Sequence, residues 1–270
     1  MERPVSRRGF LAGAAALGVA ACTDGGSTTS GSTTSGSTTS GSSSAGSAPT
    51  IAAPSTATTS SAAVPGAPAR FVNAGTPGRN QMALTFHTSG DPALFHQLAD
   101  LFAARKVLLT AFIVGQWLDD NPELGRVLHA AGHELANHTY THPPFAALTP
   151  DKMTDEIARC RAAVAKVAPG GGAYFRLSGT SDGTSTPPAA ILALAGAGGY
   201  PTVLGFDLDP LDFEDPGADA VAQRTIDGLH DGAIVSLHFG HAGTVAALPR
   251  ILDAIAARGL TPVTVSTLLT

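Results

Sequence analysis

The chain has 270 residues, a formal net charge of −5 and 43% hydrophobic residues. That charge, without a basic stripe, excludes a nucleic-acid binder, and two cysteines exclude a disulfide-stapled scaffold. About 200 residues remain once a low-complexity N-terminal portion is set aside, ample for one domain with a substantial core.

Arg7-Arg8 precedes an apolar stretch rich in Ala, Gly and Leu that is too short to span a bilayer. This pattern predicts a signal peptide of the twin-arginine route over residues 1–22. It ends at Val19-Ala20-Ala21-Cys22, which resembles the lipobox of bacterial lipoproteins. Cys22 is therefore the expected lipidation site, which places the protein on the outer face of the cytoplasmic membrane, facing the cell wall. Apart from Asp24, Ile51 and Val64, residues 23–68 are Ser, Thr, Gly, Ala and Pro, with the repeat Gly-Ser-Thr-Thr-Ser. Such a segment has too little apolar surface to offset its ordering entropy, so it reads as a disordered tether. Its ~45 residues reach on the order of 35–40 Å.

Residues 70–270 alternate two patterns. Strand-like runs lie at 82–86, 107–114, 134–137, 173–175, 202–208, 233–239 and 261–265. Amphipathic segments lie between them at 92–104, 121–131, 150–167, 187–198, 218–229 and 244–258. Prolines near several helix starts and Gly132, Gly199 and Gly259 after three helix ends fit helix termini. The alternation reads as a parallel α/β barrel or an open sheet. No glycine fingerprint follows the first strand, which argues against a dinucleotide site.

Five of the apolar runs deliver polar groups. They lead to His87, to His138 and His142, to Arg176, to Asp209 and Asp212, and to His238. If the runs are parallel strands of one sheet, these groups share a rim. Two imidazoles four apart in Asn137-His138-Thr139-Tyr140-Thr141-His142 suit Zn2+ or a similar ion. His238, ending an apolar strand, suits a general acid. Arg176 with Asp209 and Asp212 reads as an ion-pair cluster that tunes the acid and base. His241 reads as a rim residue. Cys160 falls on the helical pattern 153–157–160–164–167 and reads as a buried structural thiol.

Taken in order, Thr-Phe-polar, His-Thr-x-x-His, Phe-Arg, Asp-x-x-Asp-aromatic and apolar-Leu-His resemble the polysaccharide deacetylase (NodB-homology) family, carbohydrate esterase family four. The resemblance implies a distorted (β/α)7 barrel over residues 70–270. It implies a divalent metal, Zn2+ in first place, that activates water to remove N-acetyl (or O-acetyl) groups from a cell-wall glycan. His138 and His142 match the family's metal ligands, Arg176 its motif arginine, Asp209 and Asp212 its tuning aspartates, and His238 its acid. Tyr140 and Phe213 are the expected substrate-lining aromatics.

The first motif departs from the family's Thr-Phe-Asp-Asp-Gly, reading Thr85-Phe86-His87-Thr88-Ser89-Gly90-Asp91. The family's base and third ligand are missing from their usual positions. His87 is then either the third metal ligand or the base, the latter with Thr88, Asp91 or water completing the ion's shell. The alternative function is a non-catalytic glycan-binding pseudoenzyme on the same barrel. The expected partners are the glycan and, through Cys22, the membrane. Nothing in the sequence demands more than a monomer.

Overall fold

The computed structural model describes residues 66–180 and 182–270. The signal peptide expected over 1–22, with Cys22, and the tether expected over 23–68 as far as residue 65 lie outside the described residues. The described chain begins with β1 (Arg70–Val72), β2 (Gln81–His87), α1 (Pro92–Arg105), β3 (Thr110–Ile113), α2 (Gly115–Asp120), α3 (Pro122–Ala130) and β4 (Glu134–Asn137). It continues through α4 (Pro150–Ala165), α5 (Ala189–Ala197), β5 (Thr202–Leu204), α6 (Ala218–Gly228), β6 (Ile234–His238), α7 (Ala242–Ala257), β7 (Thr261–Pro262) and α8 (Val265–Leu268). No helix among the described residues is long and apolar enough to cross a membrane.

Every strand pairing is parallel. Four strands lie in the order β4-β3-β2-β6, and β1 pairs with β5. Single bridges connect the two groups: Phe175 pairs with both Asn137 and Val203, and Leu208 pairs with Val235 of β6. These bridges carry the sheet round from β4 to β6, so the strands close into an α/β barrel. β7 pairs with the start of β2.

Side-chain alternation along the strands divides the core. On β2 and β6 the register pairs Ala83 with Ile234, Thr85 with Ser236 and His87 with His238. Ala83 and Ile234 pack with Phe112, Ala136, Leu204 and Phe206 in one cluster. The intervening residues Leu84, Phe86, Val235 and Leu237 pack in another, with Phe95 and Phe102 of α1 and Leu248 and Ile251 of α7. Each such side chain contributes about 1.5–3 kcal/mol on burial. The buried Cys160 donates to the Ile113 carbonyl at 3.1 Å, and burial pushes its thiol up to about 12. That fits a structural thiol.

Two expectations change, and one strand is additional. The strand expected over 173–175 is a single bridging residue, Phe175, because Gly170, Gly171 and Gly172 all hold positive φ and turn the chain immediately before it. The strand expected over 261–265 stops at Pro262, since Thr264 caps α8 through its side chain. The short β1 carries too little pattern to read from sequence.

Candidate active site

The C-terminal ends of β2, β4 and β6 present His87, His138 and His238 on one rim, where active sites of parallel α/β barrels lie. Arg176 follows the Phe175 bridge, and Asp212 sits in a short turn beyond β5. Scattered in sequence, these side chains form one connected set in space.

Arg176 is buried at the centre. Its Nε donates to the Leu204 carbonyl (3.1 Å) and its Nη2 to the Gly205 carbonyl (2.8 Å). Its Nη1 donates to Thr85 Oγ1 (2.9 Å) and His87 Nε2 (3.1 Å). The guanidinium carbon lies 4.0 Å from the Phe112 ring centroid. Burial pushes the guanidinium down to about 9, with Asp209 acting in the opposite direction.

Arginine only donates, so His87 Nε2 accepts and the neutral ring carries its proton on Nδ1. That N–H donates to His238 Nε2 at 2.8 Å. His238 in turn carries its proton on Nδ1 and donates it to Asp212 Oδ1 at 2.7 Å. Asp212 Oδ2 also accepts from the His238 backbone N–H (2.8 Å) and from Thr244 Oγ1 (2.6 Å). One directed chain therefore runs Arg176 to His87 to His238 to Asp212. His87 and His138 are held neutral: burial, first, and then neighbouring imidazoles and Arg176 push both well below the usual histidine range.

The sequence grouped Arg176, Asp209 and Asp212 as one ion-pair cluster, and the structure divides it. Among the described residues Arg176 makes no salt bridge to a carboxylate, because main-chain carbonyls, Thr85 and His87 take its N–H groups. Asp212 serves His238 and, through Oδ2, Thr244. Asp209 is half-buried on the cavity wall and accepts from Leu211 N at 2.8 Å. Burial raises its pKa, with Asp212 adding to the rise.

His138 donates from Nδ1 to the Arg176 carbonyl (3.0 Å), which leaves its Nε2 lone pair free. His142 Nε2 lies 3.2 Å from that nitrogen. Two ligands of a tetrahedral zinc, each ~2.0–2.1 Å from the ion, stand about 3.3 Å apart, so this pair fits two positions of an ion. The loop between them is built to hold that spacing. Thr139 and His142 both sit at positive φ, strain that the surrounding bonds must hold. Asn137 Oδ1 accepts from Thr139 N (2.9 Å), and Thr139 Oγ1 donates to Ser178 Oγ (3.0 Å). Glu156 of α4 accepts from Tyr140 N and Thr141 N (both 2.7 Å) and from Thr141 Oγ1 (2.6 Å).

A third protein ligand is missing. No three His, Cys, Asp or Glu side chains among the described residues are grouped to hold an ion. His87 stacks on His138 with ring centroids 4.0 Å apart, but Arg176 and His238 engage both its nitrogens. In this arrangement His87 has no lone pair to offer, either as ligand or as base. Thr88 is buried and accepts from Val114 N, and Asp91 caps α1 by accepting from Ala93 N. The donor set thus suits an ion held by two histidines, one protein ligand short of the usual catalytic zinc site.

His87, His138, His142, Asp209 and His238 line an open cavity of about 440 Å³, together with Phe213 and His241. Phe213 is exposed, and its ring stands 5.5 Å from His238. Tyr140 does not line the cavity. Its hydroxyl donates to Asp119 (3.1 Å), and the Arg159 guanidinium covers its ring at 3.8 Å. The cause is Gly115, where a Cβ would come within 2.5 Å of the Tyr140 ring. Sequence reasoning also missed Thr244, Ser178 and Glu156. Only Glu156 left a signal: a carboxylate on the apolar stripe formed by Met153, Ile157, Cys160 and Val164.

The polysaccharide deacetylase family profile matches residues 74–194. A chitooligosaccharide deacetylase from Rhizobium leguminosarum bv. phaseoli is 32% identical over 164 residues, covering 60% of this chain and 69% of that protein. A peptidoglycan-N-acetylglucosamine deacetylase from Bacillus cereus is 30% identical over 212 residues, covering 75% and 94%. Among solved structures, a CE4 family pseudoenzyme from Bacillus anthracis matches with a TM-score of 0.67 at 21% identity, covering 74% of this chain and 69% of that one.

Proposed function

Because the chain belongs to the polysaccharide deacetylase family, we propose that it hydrolyses the carbon–nitrogen bond of N-acetyl groups (or the ester of O-acetyl groups) on a cell-wall glycan. One observation carries the reading: His238, oriented by Asp212, opens onto a cavity shared with the His138–His142 pair.

Asp212 fixes the Nδ1–H of His238, so Nε2 is the working atom. With the first-motif carboxylates absent, that nitrogen serves in both directions. It takes a proton as the oxygen of water bonds to the acyl carbon. It then gives the proton to the amine nitrogen as the C–N bond breaks, while Asp212 stabilises the imidazolium between the two steps. The glycan or a water displaces the His87 N–H from Nε2 before this can occur, and Arg176 retains His87 at the wall. A divalent ion, Zn2+ in first place, would be held by His138 and His142, and when bound it polarises the acyl carbonyl.

The second reading, a non-catalytic glycan binder, is favoured by the missing carboxylate base and the blocked Nε2 of His238. Acetate release from N-acetylglucosamine oligomers decides between them. The purified protein is expected to release acetate, and His238→Ala to slow it by about 10²–10⁴-fold. Oligomer binding without acetate release, with zinc present, establishes the binder instead.

Export by the twin-arginine route, a lipid at Cys22 and a tether spanning 23–68 complete the proposal, putting a monomeric barrel within reach of the wall. The apolar N-terminal run, the lipobox-like Cys22 and the low-complexity spacer support it.

A further inference from the structure

Ser236 lies on β6 two residues before His238 and belongs to the same inward-facing row. It is fully buried, it lines the cavity that holds the histidines, and its Oγ has no hydrogen-bond partner among the described residues. The one hydroxyl opposite it in register, Thr85, is already committed. Thr85 Oγ1 donates to the Val235 carbonyl (2.6 Å) and accepts from Arg176 Nη1 (2.9 Å). A buried hydroxyl left without a partner is costly, and a native structure rarely keeps one without a ligand or water to satisfy it.

The surroundings of Ser236 restrict what that partner is. The same cavity also carries Leu177 and Phe206, apolar side chains that suit a short carbon chain, and none of its polar lining groups bonds to Ser236 Oγ. An acetyl methyl group placed there would leave the hydroxyl unpaired. An acyl group ending in its own hydroxyl would pair with it, donating or accepting, while its carbon chain meets the apolar side chains.

Resting on the deacylase reading above, we infer that Ser236 sets the acyl specificity of this site, selecting a 2-hydroxyacyl group, N-glycolyl being the smallest, over N-acetyl. The reaction balances as for the acetyl case. Water's oxygen bonds to the glycolyl carbonyl carbon, the C–N bond breaks, one proton passes to the sugar amine, and glycolate leaves. Sites that bind a substrate hydroxyl discriminate against the analogue lacking it, because their own polar group is then stranded.

The test uses matched glucosamine oligomers, N-glycolylated and N-acetylated, with the purified protein and its Ser236→Ala variant. Binding is followed by calorimetry and turnover by free-amine release. The wild type is expected to prefer the glycolyl oligomer by about 10-fold, with the ratio falling towards one in Ser236→Ala. Thermal stability should be unchanged or higher in the variant, since removing an unpaired hydroxyl removes its desolvation cost; a structural role for Ser236 would lower it. Acetyl turnover without glycolyl preference overturns the specificity assignment and leaves the deacylase reading standing. Glycolyl preference in binding without turnover of either oligomer supports the assignment and retires the hydrolase. Failure to bind either oligomer overturns both.

Discussion

Asp212→Asn tests the directed hydrogen-bond chain, because an amide cannot satisfy all three donors that the carboxylate accepts. If the amide oxygen takes the place of Oδ2, it keeps the bonds from His238 N and Thr244 Oγ1. The amide NH2 then faces His238 Nδ1, which must give up its proton to accept. The proton moves to Nε2, where the His87 Nδ1–H already points from 2.8 Å away. His87 cannot yield by changing tautomer, since Arg176 Nη1 donates to its other nitrogen. If the amide is flipped, the NH2 instead meets the backbone N–H of His238. Either way one buried donor faces another.

The loss is one charge-assisted hydrogen bond together with a stranded buried donor, about 2–4 kcal/mol in all. For a domain of this size that lowers the melting temperature by about 5–15 °C. Activity on N-acetylglucosamine oligomers should fall by about 10²–10⁴-fold, because His238 then presents the wrong tautomer. The propagation along the chain is measured by a double-mutant cycle with His87→Ala in urea unfolding. Removing the opposing donor should recover about 1–2 kcal/mol, so the double variant is less destabilised than the two singles added together. Additivity within about 0.5 kcal/mol would refute the directed chain.

Two further outcomes follow from the same geometry. The metal-free protein should lose stability as pH falls below the ordinary histidine pKa of 6.5. His87 and His138 stay neutral in the fold while the unfolded chain takes up their protons, so stability is fully present above pH 6.5 and declines below it. Between pH 7 and 5.5 urea unfolding should register a loss of about 2 kcal/mol, and a flat profile would mean that these imidazoles are not held neutral. Glu156→Ala strips the acceptor from Tyr140 N, Thr141 N and Thr141 Oγ1. Zinc affinity measured by calorimetry should fall by about 10–100-fold, as on loss of an outer-shell support; an unchanged affinity would show that the 139–142 loop holds its shape without the carboxylate.

The barrel was legible because its strands are buried on both faces. Runs such as Met82-Ala83-Leu84-Thr85-Phe86 and Ala233-Ile234-Val235-Ser236-Leu237 carry continuous apolar character, and the polar residue at each end marks where the strand leaves the core. Segments that pair through one or three residues do not carry enough pattern to be seen. Phe175 makes two bridges alone, and β1 exists because Arg70, Phe71 and Val72 find Thr202, Val203 and Leu204 beside them, a relation between segments about 130 residues apart.

The residues of the site were legible for the same reason, but their partners were not. Sequence order places Arg176, Asp209 and Asp212 near one another along the rim and opposite charge suggests pairing, yet the fold gives Asp212 to His238 and surrounds Arg176 with carbonyls. The roles of His87 depend on direction rather than proximity. Had a carboxylate instead of a guanidinium met its Nε2, the ring proton would sit there and Nδ1 would be the acceptor. His87 would then be free to take a proton from His238 or from water. Arg176 decides the matter by having no lone pair, and that one fact removes His87 as both ligand and base. Restoring a carboxylate at this position, His87→Asp, would give Arg176 an anionic partner and free His238 Nε2. A rise in acetate release from that variant would locate the limit on this site at residue 87. No rise would place it at the third ligand position, where Thr88 spends its hydroxyl on Val114 N.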